Sequence, residues 1–75
     1  MSADKAAKLV KRANQIGDYF ASQPVEAAVA GAATHIRQFW TVKMIREIVA
    51  EASKDATGLN PTAYAAVKAL GQSPQ

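Results

Sequence analysis

Apolar positions recur at helical spacing in four separate stretches of this chain. Nowhere do they alternate over five or six positions as a half-buried strand requires. Leu9, Ala13, Ile16 and Phe20, with Ala6 before them, predict a first helix from about Asp4 to Ala21. Ser2 or Asp4 can cap its start by accepting free amide protons. Gln23-Pro24 ends it, because proline biases the residue before it away from helix. A second helix is predicted from Pro24 to Trp40, with Pro24 at the first helical position and Glu26 near the positive end of the dipole. Val25, Val29, Ala32, Ile36, Phe39 and Trp40 make its expected core stripe. Ala27, Ala28, Gly31 and Ala32 are small enough for another backbone to approach closely.

Thr41 is a good cap for a third helix from about Val42 to Ser53. Its core face is Ile45, Ile48, Val49 and Ala52, with Met44 and Arg46 on opposite flanks. A polar loop follows from Asp55 to Gly58. Asn60 then caps a short fourth helix from Pro61 to about Leu70. Leu59 and Tyr64 can form a staple across its start. Ala63, Val67 and Leu70 face inward, and Gly71 is expected to close the helix in the left-handed conformation. The fold class that results is all-α: a small bundle of three to four helices forming a single domain over 1–75, with ends that fray at about 1–4 and 72–75. Helices one and two are expected as an antiparallel hairpin that the third and fourth close.

Size and composition narrow the chemistry. A chain of 75 residues buries only about 60% of the surface its unfolded form exposes, so it leans on some further support. The absence of cysteine excludes disulfides, thiolate zinc sites, iron–sulfur ligation and thiol catalysis. The remaining support is a partner subunit. Nine Lys and Arg against six Asp and Glu leave a net charge of +3, mild for a nucleic-acid binder. The longest apolar run, Ala27 to Ala33, is far short of a membrane span. The first residues lack the charged-then-apolar layout of a signal peptide. The expected location is therefore the cytoplasm, with no membrane and no nucleic-acid partner.

Candidate chemistry is sparse. His35 is the single histidine, the residue type most used for proton transfer at neutral pH. A catalytic histidine needs a nucleophile or carboxylate positioned beside it. Ser22, Ser53 and Asp18 lie on other segments, so His35 reads as a boundary residue. Glu47 and Glu51 share a helix face but lack further oxygen ligands nearby, and Lys43 and Lys54 can neutralise them. The scattered glycines assemble neither a phosphate loop nor a dinucleotide fingerprint. No catalytic residue and no metal site is expected. A basic side of Lys5, Lys8, Lys11 and Arg12 next to Tyr19 supports an alternative, a small helical DNA-binding regulator whose affinity would fall steeply with salt.

The densest segment is His35 to Arg46, which joins helices two and three. It gathers arginine, aromatic and methionine side chains, types enriched in protein interfaces. Phe39 and Trp40 can equally fill the core, leaving Arg37, Met44 and Arg46 at its rim to meet a partner. A homo-oligomer on the Ala/Gly face of helix two also remains open.

At this corner the chain resembles the delta subunit of the bacterial NAD-dependent formate dehydrogenases that contain molybdenum or tungsten. The likeness runs through Lys8-Leu9-Val10, Ala13-Asn14-Gln15-Ile16 and Tyr19-Phe20. It continues with His35-Ile36-Arg37, Phe39-Trp40, Met44 and Arg46, and ends with Gly58-Leu59-Asn60-Pro61 and the helix to Leu70. Thr41-Val42 stands where the family commonly has Asp-Pro, and Ile45 separates Met44 from the basic residue that usually follows it. The resemblance implies a non-catalytic accessory subunit that binds the large catalytic (alpha) subunit and supports assembly or stability of the holoenzyme complex. It implies no cofactor in this chain. In the family, the alpha subunit carries molybdopterin guanine dinucleotide with Mo or W and iron–sulfur clusters. The beta and gamma subunits carry FMN, the NAD site and further clusters. Arg37, Trp40, Met44 and Arg46 are then the expected partner anchors. Asn14 and Gln15 follow, since the core stripe does not explain them.

Overall fold

The computed structural model describes residues 2–54 and 58–72, with side chains from Ala6 onward. Those residues form four helices and no strand: α1 Ser2–Phe20, α2 Val25–Phe39, α3 Val42–Ala52 and α4 Pro61–Gln72. The bundle expected from the periodicity is therefore present. Backbone helix runs from Ser2 in α1 and to Gln72 in α4. The caps proposed on Ser2 and Asp4 fall outside the described side chains, as do residues 55–57 of the polar loop and residues 73–75 of the tail.

Each helix is held to its neighbours by the stripe its sequence dictates. Leu9 and Ala13 of α1, Ala32, Ile36 and Trp40 of the α2 end, Ile48 and Ala52 of α3, and Ala63, Ala66, Val67 and Leu70 of α4 form one buried cluster. Ile36, Ile48 and Val67 are its largest fully enclosed side chains. α4 is more than a closing piece. It packs against α1, α2 and α3, whereas α2 and α3 scarcely touch each other away from their shared corner. The small residues of α4 let it occupy that central place.

Two glycines mark close crossings. A Cβ on Gly17 would stand 2.7 Å from Asn60 Oδ1 and 3.0 Å from the Ala63 amide nitrogen, so α1 lies directly on the start of α4. A Cβ on Gly31 would stand 2.7 Å from the Phe20 ring. The Ala28/Gly31/Ala32 face of α2, considered above for a second copy of the chain, thus seats Phe20 and the core, while Ala27 is exposed.

Four expectations are corrected. Val25 and Phe39 were assigned to the buried stripe, but they are 77% and 70% exposed. They are the first and last residues of α2, beyond the reach of the neighbouring helices. Pro24 is the N-cap of α2 rather than its first turn, with φ −53° and ψ 148°, and its carbonyl accepts the Ala28 amide at 2.8 Å. Gly71 stays helical. The positive-φ residue among those described is Gly58, at φ 77°, which turns the chain into α4.

Candidate partner-binding surface

The corner between α2 and α3 is built from two extended residues. Trp40 ends α2 at φ −97° and ψ 148° while its amide still donates to the Ile36 carbonyl at 2.8 Å. Thr41 follows at φ −72° and ψ 161°, and its hydroxyl oxygen accepts the Met44 amide at 3.1 Å. The threonine cap predicted from sequence is therefore formed, and it fixes the angle at which α3 leaves.

This corner separates the candidate anchors. The Trp40 indole is nine-tenths buried in the core, and Met44 packs half-buried against the same cluster. Arg37, in the last turn of α2, and Arg46, on α3, are exposed, and neither forms an ion pair among the described residues. Arg37 lies at the negative end of its helix dipole, a favourable position for a cation. The predicted set thus divides into an inner pair that braces the corner and an outer pair of free guanidinium groups.

Two apolar features flank the corner. On the α1/α2 side, rings run in series. Tyr19 meets Phe20 edge-on at 5.0 Å, Phe20 meets His35 at 6.5 Å, and His35 meets Phe39 at 4.7 Å with a 35° tilt. Tyr19 and Phe39 are the exposed ends of this seam. His35 is held between the Phe20 and Phe39 rings, with no carboxylate or hydroxyl hydrogen-bonded to it among the described residues. On the α3/α4 side, Val42, Ile45, Val49 and Ala50 face Leu70 and Gly71 across a groove of about 290 Å³, with Arg46 at its edge. Sequence reading missed this groove and the exposure of Val42, 59%, although the 42/45/46/49/50 spacing was available to reveal it.

Asn14 has an internal duty. Its amide donates to the Gly58 carbonyl at 2.9 Å, and its Oδ1 accepts the Asn60 amide at 2.8 Å. The Asn60 side chain answers by donating to the Asn14 carbonyl at 3.1 Å and to Asp18 at 3.2 Å. Its oxygen caps α4 by accepting the Ala63 amide at 2.8 Å. The pair clasps α1 to the entrance of α4, which satisfies the orphan groups of a helix start and a tight turn together. Gln15 is exposed, with no internal partner among the described residues.

Lys8, Lys11 and Arg12 are exposed along α1, and Lys5 lies outside the described side chains. Glu51 pairs with Lys54 at 3.1 Å one turn on, and Glu47 is half-buried. Among the described residues no group of three or more His, Asp or Glu side chains could hold a metal ion. None of the described helices is long and apolar enough to cross a membrane.

Comparisons with known proteins agree with the resemblance at the corner. Neither the curated proteins nor the solved structures yielded a match. The family model of the NADH-dependent formate dehydrogenase delta subunit, FdsD, matches residues 8–67, a stretch that holds most of α1, all of α2 and α3, the clasp and the first half of α4. With that much of its 75 residues covered, the chain belongs to the formate dehydrogenase delta subunit family.

Proposed function

We propose that this chain is a non-catalytic accessory subunit that binds the large catalytic subunit of a cytoplasmic NAD-dependent formate dehydrogenase and supports assembly or stability of the complex. The observation that carries this reading is the family match over residues 8–67, which spans the corner, the ring series and the α3 side of the groove. Exposed apolar and aromatic groups beside free arginines are what a partner-facing surface needs. In this reading the chain holds no cofactor. Molybdopterin guanine dinucleotide with Mo or W, the iron–sulfur clusters, FMN and NAD belong to the larger subunits. The chain acts by mass action: a ligand that binds only the folded, competent state of its partner stabilises that state by about 2.7 kcal/mol at a hundredfold excess over Kd. A surface of about 800 Å² on each side is within reach of a domain this size.

The test is co-purification. The chain, tagged, is expected to elute with the catalytic subunit from native extract at both low and high salt, and its deletion is expected to lower the yield of assembled holoenzyme. Assembly and formate-dependent NAD reduction unchanged by the deletion, with no co-elution, would defeat the proposal.

A further inference from the structure

Resting on that reading, we propose that the α3/α4 groove is the seat for an amphipathic helical segment of the catalytic subunit, one that carries an aliphatic anchor flanked by a carboxylate. α3 has more apolar surface than the core consumes. Ile48 and Ala52 are buried in the bundle, and Ile45 and Val49 pack half-buried against the same core; with the exposed Val42 they form an edge at i, i+3, i+7 that also lines the open groove. Leu70 supplies a buried floor, and Gly71 brings α4 close, since a Cβ there would stand 3.0 Å from Val49. At about 290 Å³ the groove falls just below the range of small-molecule sites, roughly 300–1,000 Å³, and it suits side chains laid in from a facing helix.

Charge selects the occupant. Arg46 is the charged residue that lines the groove, and it has no ion pair among the described residues. Lys43, also exposed, lies one turn earlier on the same edge. An apolar anchor alone would leave both cations unused, whereas a carboxylate beside it meets the guanidinium in a two-pronged hydrogen-bonded pair.

The experiment measures affinity of the full chain for the catalytic subunit, alongside thermal melting of the chain alone. Ala50→Trp fills the groove from an exposed position, Arg46→Glu reverses its charge, and Arg46→Lys keeps the charge. The first two are each expected to weaken binding by at least about tenfold with melting unchanged, and Arg46→Lys by no more than about threefold. If Ala50→Trp disturbs folding, Arg46→Glu decides the matter alone, since its side chain is exposed. Wild-type affinity retained by Arg46→Glu and Ala50→Trp overturns the groove assignment and leaves the accessory-subunit reading standing. A wild-type chain that does not bind the catalytic subunit overturns both. Self-association of the isolated chain that Ala50→Trp abolishes would make a second copy the occupant and also overturn the proposal.

Discussion

Replacing Asn14 with alanine separates two readings of a residue that the family resemblance marks as shared. If Asn14 serves the clasp, the cost falls on the fold. Its Oδ1 leaves behind the half-buried Asn60 amide, at about 1–2 kcal/mol, and its Nδ2 leaves the more exposed Gly58 carbonyl, which water can reach, at about 0.5–1 kcal/mol. Alanine returns roughly 0.5 kcal/mol of helix propensity. The net loss is about 1–2.5 kcal/mol, which in a domain this small lowers Tm by roughly 5–15 °C. Far-UV circular dichroism of the isolated chain, in heat and in urea, reads this directly. A double-mutant cycle with Asn60→Ala should show coupling above about 0.5 kcal/mol. Gln15→Ala, which breaks no internal bond, should stay within about 0.5 kcal/mol of wild type. An Asn14→Ala chain that melts like wild type yet loses the catalytic subunit would refute the clasp and return Asn14 to the interface.

Two further substitutions probe the packing. Gly17→Ala should destabilise the chain by about 1–3 kcal/mol, because overlap with Asn60 Oδ1 and the Ala63 backbone outweighs the roughly 1 kcal/mol gained in helix propensity; a raised urea midpoint would contradict this crossing of α1 on α4. Trp40→Ala should cost about 3–5 kcal/mol, comparable with the whole stability of a domain this size, and abolish cooperative melting; a sharp, unshifted transition would mean that the indole is not core.

Most of the fold was legible because helices of this kind are written in local period and local caps. Leu9, Ala13, Ile36, Ile48, Val67 and Leu70 fall on the expected faces, and Thr41 and Asn60 cap as their side chains dictate. The two residues misplaced in the core stripe share one cause. The period fixes the angle of a side chain around its helix but not its position along the axis relative to neighbours. Phe39 shares the angular sector of the core, yet it stands at the last residue of α2 and meets His35 and solvent instead. Val25 is misplaced in the same way at the other end. The clasp was hidden for a different reason: its partners are 46 residues apart, and no local pattern joins Asn14 to Asn60. What the sequence did offer was an anomaly, a polar residue that the core stripe leaves unexplained.

The candidate surface was half legible for related reasons. Residue types located the corner, but only packing could divide it into Trp40 and Met44 inside and Arg37 and Arg46 outside. That division ties binding to folding. α3 presents one side of the groove and is held on α4 and α1 by the core cluster that contains Ile48 and Ala52. α4 is in turn set by the clasp to α1. A partner seated between α3 and α4 would therefore bind the assembled bundle and not its pieces, and its binding energy would add to the stability of the helix pair by linkage. In the proposed reading, a small chain without disulfides would gain the support it needs from the same contact through which it supports its neighbour.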